Sequence, residues 1–404
     1  MEKLTGVKPE EETAGLTNQN KILSRKKRLV FSFIIFLITA STISTIYVVY
    51  TGYRTAPIYW YIKHNERGWK GKIHREDAEL GYAPIPDTHG AEVFPVGDDV
   101  PARYDKDGFR VPLDDTGGAS VDPHPIALTL GDSFTYGAAT KAEATYPYLV
   151  GKLLRGTTRN AGVCGYGLAQ MIILARRLVP TYKPDYLLVQ YSPWLVGRAQ
   201  SPFADSYFGK VPTPYFILRQ NQLVLQSPVF ATKVMDLPTD NYRSTPVSFG
   251  ERVSFLWNVG LPLYIHDDFN MSDYEIKELF GLNPKPAANP QQITKYVYGE
   301  MANVAKQNGT RLVIVILGYD ENAARVPLAS FPGDAIVVNA HNALLEHLPV
   351  VNRDAYEKAY YHWRGSPLRI VDAHPNETAH RLIAEAIVQK IQEYRKPSPD
   401  DSNR

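Results

Sequence analysis

The apolar run Pro125-Ile126-Ala127-Leu128-Thr129-Leu130 drives straight into Gly131-Asp132-Ser133-Phe134-Thr135-Tyr136-Gly137. A run of that length and composition reads as a buried strand, and open α/β sheets carry their chemistry beyond the carboxyl ends of strands. Ser133 therefore stands where a reactive hydroxyl would be displayed. A serine hydroxyl is a weak nucleophile at neutral pH unless a base takes its proton, and an imidazole held by a carboxylate is the usual device. Asp372-Ala373-His374-Pro375-Asn376 supplies such a pair far downstream. In an extended segment residues i and i+2 point the same way, so Asp372 can accept from His374 Nδ1 and leave Nε2 for the serine. The pattern points to a serine hydrolase or an acyltransferase with Ser133, Asp372 and His374 as its catalytic residues.

The chain between these two points alternates in period. Tyr146 to Leu154 reads as a helix, Thr158 to Ala161 as a strand, Leu168 to Leu178 as a helix closed by Pro180, and Asp185 to Tyr191 as an apolar strand. Gln291 to Gln307 is again helical and Arg311 to Leu317 is a β-branched core strand. Leu368 to Val371 is a short last strand, and Thr378 to Tyr394 an amphipathic closing helix. Strand and helix in turn predict a parallel sheet covered on both faces. Residues 199–288 break the rhythm as a Pro- and Tyr-rich insertion with a hairpin across Arg219-Gln220-Asn221-Gln222. Residues 51–123, rich in Pro, Gly and Asp, predict short hairpins packed against the main domain, 124–396.

Leu29 to Tyr50 carries no charged residue. As a helix it would span roughly 33 Å, enough for a bilayer core of about 30 Å. Arg25-Lys26-Lys27-Arg28 directly precedes it, and residues 1–28 hold seven Lys/Arg against four Glu. The positive-inside bias then predicts a cytoplasmic tail (1–28), a transmembrane helix (29–50) and a main domain on the far side, periplasmic or at the cell surface, ending in a short tail (397–404). The net charge of +2 and the lack of a basic, aromatic-interleaved stretch argue against nucleic acid as partner. Cys164 is the single cysteine, so stability must come from the core. No His/Cys/Asp/Glu spacing suggests a metal, and no cofactor is expected. His341, His362 and His380 read as surface or packing residues.

The glycines of Asn160-Ala161-Gly162-Val163-Cys164-Gly165-Tyr166-Gly167 let backbone N–H groups approach a substrate oxygen, so backbone donors there, with the Ser133 amide, are candidate oxyanion donors. Asp132, Tyr136, Tyr166 and Trp194 are candidate substrate contacts. Over about residues 125 to 394 these blocks resemble those of the GDSL-like, or SGNH, hydrolases. Ser133 in G-D-S matches the nucleophile block, Gly165 in N-A-G-V-C-G the oxyanion glycine, and Asp372 and His374 in D-A-H-P-N the last block. The resemblance implies a flavodoxin-like three-layer sandwich and hydrolysis or transfer of acyl esters. It departs in the third block, where the family's asparagine is missing from Gln190-Tyr191-Ser192-Pro193-Trp194-Leu195, with Ser192 or Arg198 as candidate replacements. The expectation is a membrane-anchored esterase whose partners are acylated small molecules or glycans. The alternatives are an O-acyltransferase using the same residues and a non-catalytic glycan-binding or assembly protein.

Overall fold

Alternate residues of each central strand enter different cores. In the computed structural model, which describes residues 25–64, 68–114, 123–206, 209–233, 248–286, 289–322 and 326–395, Val313 and Val315 join one buried cluster while Leu312, Ile314 and Ile316 join the other. Leu188 and Leu187 divide in the same way. That two-residue period, with both faces apolar, is what a strand buried between two helical layers requires. The expected tail at 397–404 and all but the last four residues of the amino-terminal tail lie outside the described residues.

The chain divides into two units, Met1–Thr51 and Gly52–Arg404. The described residues of the first, 25–51, are helix, part of Arg25–His64. Its stretch Arg25–Tyr53 is long and apolar enough to cross a membrane, and none of its most apolar window is buried.

The second unit opens with β1 (Gly68–Lys70), a hairpin of β2 (His74–Asp77) and β3 (Gly81–Pro84), then β4 (His89–Val93), β5 (Val100–Tyr104) and β6 (Arg110–Val111). After it come β7 (Ile126–Leu130), β8 (Thr157–Asn160) and β9 (Tyr186–Tyr191). Two hairpins follow, β10 (Phe203–Ser206) with β11 (Gly209–Pro212), and β12 (Tyr215–Arg219) with β13 (Gln222–Gln226). The remaining strands are β14 (Arg311–Ile316), β15 (Ile336–Val338) and the antiparallel pair β16 (His362–Arg364) and β17 (Arg369–Asp372).

One nine-stranded sheet runs β1-β4-β5-β6-β8-β7-β9-β14-β15. Its last five members are parallel. In chain order they stand 2-1-3-4-5, the flavodoxin-like arrangement, whose switch point lies between the first and third strands, here β7 and β9. Helices Tyr146–Leu154 and Glu377–Arg395 cover one face, and Leu168–Tyr182 and Pro290–Gln307 the other. The fold is the three-layer α/β sandwich that the alternation predicts.

Three details differ from the sequence reading. The hairpin region does not merely pack on the domain: β4, β5 and β6 extend its sheet antiparallel, joined through the pair Arg110↔Asn160. The helix from Leu168 runs on through Pro180 to Tyr182. The fifth parallel strand is β15, whereas among the described residues β17 pairs only with β16.

The amino-terminal extension carries a titratable core. His74 is 1% exposed, ringed edge-on by Trp69, Tyr82 and Tyr104, and its Nδ1 finds no partner among the described residues. Burial holds its pKa at about 4. The folded state thus resists a proton that the unfolded chain accepts below about pH 6.5, so the stabilisation is complete above that value and is lost as pH falls to about 4. The loss amounts to about 3 kcal/mol. His74→Phe is expected to flatten this acid limb in urea-midpoint measurements between pH 7 and 4; an unchanged slope would place the acid sensitivity elsewhere. His341, His362 and His380 are buried packing residues whose pKa values burial also lowers.

Candidate active site

Strand β7 ends at Leu130, and Gly131 makes the turn into the short helix Ser133–Tyr136. Only glycine fits there: a Cβ would run into the Thr135 and Gln190 side chains. Asp132 caps the helix by accepting the Phe134 N–H at 3.0 Å. Ser133 is thereby placed at the carboxyl end of β7, at the switch point, and is 8% exposed.

The last segment closes on it from the other end of the chain. His374 Nε2 lies 2.7 Å from Ser133 Oγ, and His374 Nδ1 lies 2.7 Å from Asp372 Oδ1. The same Asp372 oxygen accepts the His374 backbone N–H at 2.8 Å, which fixes the short turn. Asn376 anchors the turn further, donating to the Ala359 and Tyr361 carbonyls at 2.9 and 3.1 Å while accepting from Ala379 N. With Nδ1–H given to the carboxylate, Nε2 is left as acceptor for the serine O–H. Phe134 holds the imidazole edge at 5.3 Å between ring centres.

Strand β8 leads into the loop carrying Gly165, tied to the nucleophile turn by Val163 N–H donating to Gly131 O at 3.2 Å. Gly165 has φ +84°, and a Cβ there would press on the Tyr82 hydroxyl, itself donated to the Cys164 carbonyl at 2.6 Å. Among the described residues no acceptor takes the backbone N–H of Ser133 or of Gly165. Backbone N–H groups left without partners among the described residues are available to a developing oxyanion.

The third block is structural. Gln190 Oε1 accepts from Asp132 N at 3.1 Å and Thr135 Oγ1 at 2.8 Å, and its Nε2 donates to Ser192 Oγ at 3.0 Å. Ser192, fully buried, passes its proton to the Leu317 carbonyl at 2.9 Å. Neither faces the serine. Arg198 Nη1 is committed to Asp132 Oδ2 at 2.8 Å and to the Tyr166 carbonyl at 2.9 Å.

Three expected substrate contacts are corrected by burial. Asp132 is 0% exposed and spends its second oxygen on Arg198 and on Trp194 Nε1, the latter at 2.7 Å. Tyr136 is buried beneath the Arg110 guanidinium, 3.9 Å from the ring centre. Tyr166 is buried against Tyr82 and donates its hydroxyl to the Tyr82 carbonyl at 2.6 Å. Each supports the site from below instead of touching a ligand. Trp194 is half-buried, packed between Phe134 and the exposed Tyr319.

Two contributors escape the sequence reading. Arg110 reaches across from β6 and donates to the Tyr136, Gly137 and Thr140 carbonyls, closing the end of the nucleophile helix. Tyr319 follows β14 and flanks Trp194. Only the exposed loop after a core strand hinted at the second, and nothing in the sequence pairs Arg110 with residue 136.

Asp132 and Arg198 form a pair buried on the carboxylate side and one-quarter exposed on the guanidinium side. Removing one member of a buried pair leaves the other uncompensated. Asp132→Ala is expected to lower stability by about 3 kcal/mol in denaturant titration; a change within about 0.5 kcal/mol, the range of ordinary surface substitutions, would show the pair to be solvated.

No family model matches the chain, and no curated protein matches it. Solved structures do. A catalytic mutant of an acetylxylan esterase from Geobacillus stearothermophilus is 11% identical, covering 68% of this chain and 96% of that one, with a TM-score of 0.35. A protein described as lipolytic and of the G-D-S-L family, from Desulfitobacterium hafniense, is 12% identical over 66% of this chain and 99% of its own, at 0.34. A two-domain esterase active on acetylated mannans is 12% identical over 68% of this chain and 52% of its own, at 0.31. The chain is similar to each at identities and scores too low to argue from, so its site stands on its own geometry.

Proposed function

We propose that the chain is a membrane-anchored serine esterase that removes acyl groups from glycan O-acyl esters outside the cytoplasm. One observation carries the reading: Ser133, His374 and Asp372 stand in a continuous relay of 2.7 Å contacts. Ser133 Oγ attacks the ester carbonyl and gives its proton to His374 Nε2, while Asp372 holds the ring and balances the imidazolium. The carbonyl oxygen takes the negative charge against the N–H groups of Ser133 and Gly165. Collapse breaks the ester C–O bond, the imidazolium protonates the leaving alcohol, and water repeats the sequence on the acyl-serine. Trp194 and Tyr319 form an aromatic rim suited to a sugar face. The long apolar helix after Arg25-Lys26-Lys27-Arg28 supports anchoring with the amino terminus inside.

A fluorophosphonate probe on the full chain in detergent tests the chemistry. Expected is one covalent adduct, mapped by mass spectrometry to Ser133 and suppressed by an acetylated oligosaccharide; no adduct, or one that persists in Ser133→Ala, would refute the assignment. Product analysis separates hydrolysis from transfer, since free acetate marks the first and an acylated acceptor sugar the second.

A further inference from the structure

Phe249–Phe255, the π-helical turn Leu256–Gly260 and Leu261–Leu279 follow one another without a break. At 1.5 Å per residue the rod is about 45 Å long. Its inner side is set by Glu251, Phe255, Asp267 and Tyr274, all buried. Two residues from these anchors, about 200° round the helix, stand Phe249, Val253, Trp257, Ile265, Phe269 and Ile276, between 46% and 83% exposed. The π turn holds more residues per turn than the α-helix and so keeps the two halves of this outer stripe on one side. A contiguous row of large apolar side chains on a water-facing surface marks an interaction site.

We infer that this outer face lies on a lipid bilayer, at the level of the headgroups. The inference rests on the membrane-anchored reading. A Cβ at Gly52, one residue before the end of the candidate span Arg25–Tyr53, would lie 3.9 Å from Leu256 Cδ2, in the π turn itself. The apolar face therefore starts beside the point where the chain leaves the apolar span, and Trp257, the residue type favoured at membrane interfaces, is the next residue along. The flanks carry both signs, with Asp273, Glu275 and Glu278 against Arg252 and Lys277. Burial of apolar surface drives the contact, not attraction to anionic headgroups, so it is indifferent to salt and to lipid charge.

The test uses the full chain, with Cys164→Ser, in phosphatidylcholine nanodiscs. Spin labels are placed singly through Trp257→Cys, Phe269→Cys, Glu275→Cys on the flank, and Leu37→Cys in the candidate span. Retained fluorophosphonate labelling of Ser133 shows that each variant folds. Expected at 257 and 269 is a ratio of oxygen to water-soluble nickel-chelate accessibility about fivefold above that at 275, unchanged in high salt. Nickel access equal to that at 275 would overturn the inference by placing the face in water; dipolar broadening between labels would overturn it in favour of a second copy. Leu37 reads the anchor separately: nickel access there refutes the anchored reading, while an oxygen-rich Leu37 with water-exposed 257 and 269 refutes only the surface contact.

Discussion

Ser133→Ala is expected to lower ester turnover by roughly a hundred-thousand-fold, with substrate affinity little changed. The hydroxyl is the only atom removed, and its hydrogen bond is to His374 at 2.7 Å, so the fold loses little while the covalent route closes. Where serine, histidine and carboxylate act as a unit, loss of the nucleophile costs about as much as loss of all three, and the activity that remains comes from the oxyanion donors and binding. Hydrolysis of p-nitrophenyl acetate by the full chain in detergent, followed beside the variant, measures it. Equal turnover would mean that a different group attacks and would revive the non-catalytic, glycan-binding reading for this site.

Asp372→Asn is expected to cost about ten-thousandfold in kcat, and Asp372→Ala at least as much. Both losses follow from the turn. Asp372 Oδ1 accepts from both the backbone N–H and Nδ1 of His374, at 2.8 and 2.7 Å. An asparagine can keep an oxygen on the backbone N–H, but its amide N–H can donate to Nδ1 and so favour the tautomer with the proton on Nε2, which removes the base as well as the negative charge facing the imidazolium. Alanine removes the orientation and the charge together. In a Ser133→Ala background neither change is expected to lower activity further, because the relay acts as one device. Additive losses would show that Asp372 serves binding or folding instead.

What the sequence displayed and what it hid divide along one physical line. Order along a strand is local: the run into Gly131, the i and i+2 spacing of Asp372 and His374, and the alternation that builds β7, β8, β9 and β14 are all visible in neighbouring residues. Exposure is not local. Asp132, Tyr136 and Tyr166 sit in the motifs a ligand would be expected to touch, yet the β2–β3 hairpin, Arg110 from β6 and Arg198 after β9 cover or engage them from distant parts of the chain. The missing asparagine of the third block has the same explanation. Gln190 points back under the nucleophile turn and binds Asp132 N and Thr135, a support whose need appears only once β7 and β9 are adjacent. The outward stripe on the 249–279 helix was hidden inside an irregular insertion, because its buried side carries Glu251 and Asp267 while its exposed side is apolar, the reverse of the usual one-face signal.

Acid and base share one turn just before the closing helix Glu377–Arg395, whereas the nucleophile is fixed much earlier, at Ser133. During synthesis the serine and its strand are therefore complete while the imidazole has not yet been made. A chain still being synthesised is chemically silent toward esters, and competence arrives in a single step when the final helix docks. A stop codon between Val338 and His374 leaves every strand of the sheet and its hydroxyl encoded, with nothing to deprotonate it.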